Sequence, residues 1–211
     1  MSADSAADAK PLLIYGAGGH GLVVADAAVA VGRKVLGFLD DQQDKLTQIG
    51  KWPVVDASVL DREQAAVFVA VGDNTDRQRI CTKLLQANHD LVSIVHRTAW
   101  VSPSAVIGRG VYVGPNAVIT AEARIDDGAI VNSGAIVEHH CHLEAFVHLG
   151  TGAAIGAEVH IGTRSLVGVG ASVRPRIKIG QACTIGAGAT VVKDIPDGLT
   201  VVGTPGRPLR G

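Results

Sequence analysis

The sequence predicts a small α/β domain followed by a parallel β-helix, and three observations support this prediction. A six-residue repeat runs in unbroken register from Val95 towards the C-terminus. The residues before it lack the repeat, and their strand-like and helix-like segments alternate. A glycine-rich turn joins the first strand-like segment to the helix-like segment after it. We therefore expect a loose tail over residues 1–10, an α/β domain over 11–92, a β-helix over 93–196 and a C-terminal segment over 197–211.

The N-terminal part contains three short apolar segments that are typical of buried strands, PLLIYG, KVLGFLD and VFVAVG. Two longer segments, HGLVVADAAVAVG and NTDRQRICTKLLQAN, are typical of helices and follow the first and third of these strands. Strands that alternate with helices predict a small parallel sheet covered by helices.

The repeat places the same kind of residue at the same position of each six-residue unit. The first position is aliphatic in all seventeen units, from Val95 to Val191, and is predicted to face the interior. The fifth position is usually small, as at Ala117 and Ala135, where the wall bends. We interpret the frequent glycine at the second position as the residue that turns each corner, because glycine adopts unusual conformations at little steric cost. Three units form a triangular coil of eighteen residues, so the chain builds between five and six coils, spaced by about 4.8 Å.

Several outward positions of the predicted β-helix are apolar, which favours association with other subunits. These residues are Val118, Ile130, Ile136 and Leu166.

The glycine-rich turn, Gly16–Gly21, has the spacing G-x-G-x-x-G. Its backbone amides can approach a phosphate at the start of the following helix. Asp40 and Asp41 end the second strand-like segment and can accept hydrogen bonds from a ribose or a base. The domain is short for a complete dinucleotide site, so a mononucleotide or a nucleotide-linked sugar fits better. The alternative is a structural turn without a ligand.

The densest polar cluster in the repeat is Glu138–His142, followed by His148. His139 occupies a third position beside a corner, and His148 occupies an outward sixth position. Exposed imidazoles on a largely apolar prism are candidates for acid–base chemistry. The alternative is that these are surface histidines without a catalytic role.

Composition argues against several classes of protein. The formal net charge is −1, which disfavours nucleic-acid binding driven by phosphate neutralisation. The three cysteines show no metal-type spacing, and their odd number disfavours a disulfide framework. The sequence has neither a signal-peptide core nor an apolar stretch long enough to span a membrane, so a cytoplasmic location is expected.

The motifs GAGGHG, FLDD, VGDNTDR, VNSGAIVEHHCHLEAFVHLGTGAAIGAEVHIG and VVGTPGRPLR occur in an order that resembles one family over residues 11–211. The chain resembles bacterial hexapeptide-repeat sugar acetyltransferases, of the sialic-acid O-acetyltransferase and bacillosamine-pathway N-acetyltransferase types. The resemblance implies a left-handed β-helix, a homotrimer and acetyl-CoA as cosubstrate without a metal. It favours N-acetylation of a UDP- or GDP-linked 4-amino sugar, with O-acetylation of a sugar such as sialic acid as the alternative.

The resemblance also assigns roles in the β-helix. It implies that His139 is the general base, that His148 lies near the acetyl group and that Asn132 lines the acceptor site. Backbone amides around three residues are expected to meet the pantetheine arm: Gly150, Gly156 and Ala157.

In the N-terminal domain the resemblance implies a site for the nucleotide part of the acceptor. The residues expected to hold it are Gly16, Gly18, His20, Asp40 and Asp41.

One position departs from the family pattern. The family usually has Asp or Glu directly after the catalytic histidine, where this chain has His140. His140 is therefore a candidate catalytic residue whose role is open. Either Glu138 or another carboxylate orients the base, or the base is less activated.

Two further interpretations remain open from the sequence. His142 and His160 are eighteen residues apart and should stack in one column, which suggests a metal pair of the kind found in β-helical zinc enzymes. Alternatively, the protein is a non-catalytic sensor that binds a nucleotide sugar.

Overall fold

The computed structural model describes residues 10–40, 47–56, 58–62 and 64–209. The chain divides into two compact units, Met1–Arg97 and Thr98–Gly211. The first is an α/β unit and the second is a parallel β-helix, so the predicted fold classes are confirmed. None of the helices in the described ranges is long and apolar enough to cross a membrane.

The N-terminal unit is built on one five-stranded sheet. Its strands are β1 (Leu12–Tyr15), β2 (Val35–Leu39), β3 (Gln48–Ile49), β4 (Trp52–Val55) and β5 (Ala66–Val69). Its helices are α1 (Gly19–Ala30), α2 (Val59–Arg62) and α3 (Asn74–Gln86), and a short strand β6 (Ile94–Val95) follows. The strand order is β3-β4-β2-β1-β5. Strand β1 pairs in parallel with β2 and β5, as the alternating pattern predicts.

The sequence patterns did not predict the β3–β4 hairpin at the sheet edge. Strand β3 has two residues and β4 contains Pro53, so neither shows a strand-like run of alternating residues. Tertiary packing supplies the missing stabilisation, because the Trp52 ring meets the Phe38 ring edge-on with centroids 6.1 Å apart.

The β-helix consists of two-residue strands, each followed by a turn. They are β7 (Trp100–Val101), β8 (Val106–Ile107), β9 (Tyr112–Val113), β10 (Val118–Ile119), β11 (Arg124–Ile125), β12 (Ile130–Val131), β13 (Ile136–Val137), β14 (His142–Leu143), β15 (His148–Leu149), β16 (Ala154–Ile155), β17 (His160–Ile161), β18 (Leu166–Val167), β19 (Ser172–Val173), β20 (Lys178–Ile179), β21 (Thr184–Ile185) and β22 (Thr190–Val191). Strand β23 (Thr200–Val202) and the antiparallel strand β24 (Arg207–Pro208) close the C-terminal end. Each strand pairs with the strand three units later, so that Ile130 lies beside His148 and His148 beside Leu166. This register confirms the predicted eighteen-residue coil.

Three sheets form the faces of the prism. The first face contains β7, β10, β13, β16, β19 and β22, and the second contains β8, β11, β14, β17 and β20. The third face contains β9, β12, β15, β18, β21 and β23. The turn Ser133–Gly134 lies at the third–first corner, and the turn His139–His140 lies at the first–second corner.

The interior follows the predicted repeat. From Val113 to Val191, every first-position residue is buried. The small fifth-position residues, such as Ala135 and Cys141, are buried as well. The core is therefore a stack of aliphatic layers with small residues beside each corner.

The prediction that second-position glycines turn the corners was wrong. The residues with left-handed backbone angles stand at the fourth position, for example Gly152 with φ 66° and His140 with φ 59°. The second-position glycines instead allow close stacking. A Cβ on Gly114 would lie 2.7 Å from the backbone nitrogen of Ser133 in the next coil.

One of the predicted outward apolar residues is not exposed. Ile130 is fully buried within the chain. Ile136 is 38% exposed, and Trp100 on the same face is 54% exposed. The first face therefore carries two exposed apolar side chains, and Val106 on the second face is 61% exposed.

The two kinds of glycine should respond differently to alanine. In Gly168→Ala the new Cβ lies 2.7 Å from Ala187 N and 2.8 Å from Ile185 O, so we expect a loss of about 3 kcal/mol. Gly170 has φ 65° and open space around it, so Gly170→Ala should cost only about 1 kcal/mol through its backbone angle. Urea unfolding of both variants measures the difference. Equal losses would contradict the stacking role of Gly168.

Candidate functional site

The hydrogen-bond ladder of the β-helix leaves one backbone N–H group unused at each corner. Around one turn, Gly150 N–H donates to Val167 O, and Gly152 N–H donates to Ser133 O. Ala153 N–H donates to Gly150 O within the same turn. The third residue of each unit has no partner in this ladder, so its N–H group is available to a side chain or a ligand wherever this residue is not a proline, as it is at Pro103, Pro115 and Pro175.

Side chains occupy some of these third-position N–H groups. Asn132 Oδ1 accepts from Ser133 N–H at 2.8 Å, and Glu144 Oε2 accepts from Thr163 N–H at 2.9 Å. Within the described residues, a second group of third-position N–H groups has no protein acceptor. They include those of Thr151, Val169 and Ala187 at the third–first corner and those of Ala121 and Ala157 at the first–second corner.

His139 and His140 form the turn at the first–second corner. His140 N–H donates to Ala121 O in the preceding coil at 3.0 Å, and Glu158 N–H in the next coil donates to His139 O at 2.9 Å. The backbone is therefore fixed on both sides, while both imidazoles are exposed. The two Nδ1 atoms lie 3.0 Å apart, which is hydrogen-bonding distance.

Glu138 does not bind the His139 ring. Its Oε2 accepts from the backbone N–H of His139 at 3.4 Å and from Thr120 Oγ1 at 3.5 Å. The group beside the His139 imidazole is therefore His140.

Asn132 and His148 lie together at the third–first corner. Asn132 Nδ2 and His148 Nε2 are 3.5 Å apart, and both side chains are partly buried. Strand β13, on the first face, separates Asn132 from His139. Asn132 and His148 of a single chain thus lie at a different corner of the prism from His139.

The amides around the residues expected to meet pantetheine differ in whether they are engaged in the ladder. Gly150 N–H and Gly156 N–H donate to Val167 O and Val173 O of the next coil, so neither can donate to a ligand. Ala157 N–H has no protein acceptor among the described residues, so it is available to a ligand.

The Cys141 thiol lies close to this turn and donates to Gly156 O at 3.1 Å. Burial raises the pKa of this thiol to about 11, which makes it a poor nucleophile.

The glycine turn of the N-terminal unit is tightly packed on one side and open on the other. Gly16 has φ 111°, and a Cβ there would lie 2.8 Å from Ala70 O. A Cβ on Gly21 would collide with Gly16 O. Around Gly18, the N-cap of α1, nothing lies within 4 Å of the Cβ position. The turn thus presents an open helix N-terminus of the kind that binds anions.

The side chain of Asp40, which follows β2, forms a hydrogen bond with this turn. Its Oδ2 accepts from Ala17 N–H at 2.9 Å. One carboxylate oxygen therefore has a structural partner, which was not expected from the sequence. Asp41, the other predicted acid, lies outside the described residues.

His20 lies in the first turn of α1, beside the buried side chain of Arg77. Burial and, to a smaller extent, the nearby Arg77 charge together lower the pKa of His20 to about 4. Burial also lowers the pKa of Arg77 to about 10. Arg77 donates to Val71 O at 2.9 Å and to Asn74 Oδ1 at 2.6 Å, which fixes the loop after β5. His20 is therefore neutral at physiological pH.

The second face carries two histidine–carboxylate pairs. His142 Nε2 lies 2.8 Å from Asp126 Oδ2, and His160 Nε2 lies 2.8 Å from Glu144 Oε1. Burial acts to raise the pKa of Asp126, but hydrogen bonds from Arg124 and His142 outweigh it and lower this pKa. The two residues do lie in one column, and their imidazoles meet edge-on with centroids 5.0 Å apart. In the part of the chain that is described, no group of three His, Cys, Asp or Glu residues is arranged to hold a metal ion.

The sequence analysis missed two groups of residues near these sites. Arg77 lies within the quoted motif VGDNTDR, but an arginine in a helix gives no signal that it will be buried. The unused N–H groups of Thr151, Val169 and Ala187 are backbone groups, and only the position within the unit could have identified them.

Comparisons with known proteins agree with both units. Residues 11–84 match the PglD N-terminal domain family, and residues 91–174 match the GMPPB C-terminal domain family. The acetyltransferase domain of PglB from Neisseria gonorrhoeae FA1090, solved with acetyl coenzyme A, is 40% identical. That match covers 95% of this chain and 100% of the other, with a TM-score of 0.91.

Two other relatives are N-acetyltransferases. A histidine-to-asparagine variant of perosamine N-acetyltransferase from Caulobacter crescentus, solved with CoA and GDP-perosamine, is 36% identical. The match covers 95% of this chain and 97% of that one, with a TM-score of 0.91. UDP-N-acetylbacillosamine N-acetyltransferase from Bacillus subtilis (strain 168) is 36% identical over 110 residues, 49% of this chain and 51% of that protein. The chain spans less than two thirds of the length of these curated relatives. The match covers 51% of the Bacillus subtilis protein and 22% of a second relative.

The low pKa of His20 should make the N-terminal unit sensitive to acid. The unfolded chain binds a proton at the ordinary histidine pKa of 6.5, whereas the folded unit resists protonation down to about pH 4. Neutral His20 therefore contributes up to about 3 kcal/mol to the free energy of unfolding. This contribution is complete above pH 6.5 and is lost as the pH falls towards 4. His20→Asn should reduce this loss.

Urea unfolding between pH 4 and 7, followed by Trp52 fluorescence in a Trp100→Phe background, measures this dependence. His89→Asn, in the same unit, serves as the control and should keep the wild-type dependence. An unchanged dependence in His20→Asn would show that the acid sensitivity has another source.

Proposed function

The chain belongs to the hexapeptide-repeat family of bacterial sugar N-acetyltransferases, and from this premise we propose that it transfers the acetyl group of acetyl-CoA to the amino group of a nucleotide-linked 4-amino sugar. The observation that carries the proposal is the first–second corner. There an exposed imidazole pair lies one coil below the unused Ala157 N–H group. Full-length similarity to N-acetyltransferases solved with acetyl-CoA, CoA and an amino-sugar nucleotide supports it.

His139 acts as the general base in this proposal. The neutral amine attacks the thioester carbonyl, so that an N–C bond forms and the C–S bond breaks. His139 Nε2 takes the proton that the amine loses, and this proton then passes to the departing CoA thiolate. A positioned base of this kind contributes about 10²–10⁴-fold to the rate. The exposure of His139, on a backbone fixed from both sides, supports this role.

Ala157 N–H is the donor that we assign to the developing oxyanion. Since Glu158 N–H bonds to His139 O, Ala157 lies directly over His139 in the next coil, about 4.8 Å away. A backbone donor there needs no reorganisation when charge develops, and such a donor is typically worth about 10²–10³-fold.

The pantetheine arm follows the column of unused N–H groups at the third–first corner. Thr151, Val169 and Ala187 lie in successive coils, so that their N–H groups are spaced by about 4.8 Å. Amide oxygens of an extended arm can accept from such a series. His148 and Asn132 lie at the same corner and therefore belong to the acetyl and acceptor end of this column.

The N-terminal unit holds the nucleotide of the acceptor in this proposal. Its open helix N-terminus at Gly18 suits a phosphate. His20, which is neutral at physiological pH, can both donate and accept hydrogen bonds. Asp40, whose Oδ2 accepts from Ala17 N–H, lies beside the glycine turn, and we assign it to the ribose or the base.

A second copy of the chain completes the catalytic site. His139 and the Asn132–His148 pair occupy the two corners that border the first face. That face carries a stacked apolar column, Trp100, Val118, Ile136 and Ala154. A copy packed against this column brings the third–first corner of one chain to the first–second corner of another, and it excludes water from the thioester. A homotrimer provides three such sites.

The activity is tested with acetyl-CoA and a panel of UDP- and GDP-linked 4-amino sugars, by following thiol release and the mass of the product. One acceptor should react, and His139→Ala should lower kcat by about 10²–10⁴-fold because the base is lost. His142→Asn, three residues away on the second face, should stay within about twofold, since that face takes no part in the reaction. Transfer to a sugar hydroxyl alone would replace the proposal with O-acetylation, and transfer to no acceptor would leave a nucleotide-sugar-binding protein.

Shared sites predict complementation between inactive variants. In assemblies formed from equal amounts of His139→Ala and His148→Ala chains, about one quarter of the interfaces combine the two intact residues and should be active. Co-refolding followed by the thiol-release assay measures this recovery. Asn132→Ala mixed with His148→Ala is the control and should stay inactive, because both substitutions affect the same corner. No recovery in the first mixture would place the site within one chain.

A further inference from the structure

We propose that His140 is a positioning residue that accepts a hydrogen bond from His139 and thereby holds the base in its reactive tautomer. The proposal rests on the proposed acetyl transfer by His139. A neutral imidazole, that of His140, orients the base, so that His139 and His140 act as one functional unit.

The geometry of the pair decides which ring donates. The Nδ1 atoms are 3.0 Å apart, so one of them carries the shared proton and the other accepts it. If His140 donated, a neutral His139 would carry its own proton on Nε2, and it would have no free lone pair to act as a base. If His139 donates from Nδ1, its Nε2 lone pair is free to face the acceptor. Only the second arrangement supports catalysis.

Among the described residues, no carboxylate competes for the His139 ring. Glu138 binds the backbone N–H of His139, and Asp126 binds His142. Glu122 and Glu158 occupy the same left-handed position as His140 in the coils below and above, and Glu158 is paired with Arg176 at 3.2 Å. The ring that contacts the His139 imidazole is therefore that of His140, its neighbour in the turn, and the two ring centroids lie 5.2 Å apart.

A neutral acceptor has a distinct consequence for the base. A carboxylate at position 140 would stabilise the protonated form of His139 and demand a higher pH to free the base. An imidazole fixes the tautomer without adding negative charge.

The tautomer can be measured without any activity. In ¹⁵N-histidine-labelled wild-type protein above pH 8, His139 should show a protonated Nδ1 and an unprotonated Nε2, with its signals assigned by their absence in His139→Gln. In His140→Ala the Nδ1 preference should disappear. A wild-type His139 protonated on Nε2 overturns the proposal. Because this measurement needs no acceptor sugar, it stands even if acetyl transfer is not found.

Kinetics separate positioning from mere packing. His140→Ala should lower kcat by about 10–100-fold with KM for acetyl-CoA unchanged, since only the base is misplaced. His140→Asn should recover most of kcat, because Asn Oδ1 stands where Nδ1 accepted, and Asn tolerates the φ of 59° found here. His140→Glu should move the acid limb of the kcat/KM profile to higher pH.

Arg164→Ala is the matched control, because Arg164 has φ 59° at the same position of a different corner. It should keep the wild-type kcat and acid limb. A His140→Ala variant within twofold of wild type overturns the proposal, as does a His140→Asn variant as impaired as His140→Ala.

Discussion

The backbone ladder between coils is the constraint on which the rest of this molecule depends. Each coil binds the next through N–H groups of the second, fourth and sixth positions, while the fifth closes the turn. This leaves only the third-position N–H at a corner for other chemistry. Because faces and interior are used by strand pairing and by aliphatic packing, donors for a ligand can arise only at corners, and the candidate catalytic residues are found there.

Side chains decide which of these corner donors stay open. Asn132 and Glu138 each turn back to the N–H group of the next residue, so their corners are closed in that coil. Ala157 follows a glycine, and no side chain reaches its N–H group. The same repeat can therefore present a closed or an open donor through a change at a single second position. In this chain one of the open donors, Ala157 N–H, lies directly above the imidazole pair.

The candidate site divides into parts that the sequence could and could not predict. The inward faces of the β-helix, the eighteen-residue register and the glycine turn followed from residue periodicity, because burial and strand geometry impose it. The role of the second-position glycines did not, since close approach and a left-handed φ both favour glycine. The contact of His139 with His140 rather than with Glu138 depends on side-chain rotamers, which periodicity does not encode.

The sequence by itself determined the order of the two units, the inward aliphatic column and the placing of His139 and His148 outside the core, because a period of six residues fixes which side of the wall a residue faces. Only the tertiary structure decided that Asp40 accepts a hydrogen bond from Ala17 N–H and that Ile130 is buried. It also decided that Asn132 lies beside His148, at a different corner from His139. These contacts join residues of different coils or strands. They depend on how far apart the chain segments lie in space, which the spacing of residues along the chain does not specify.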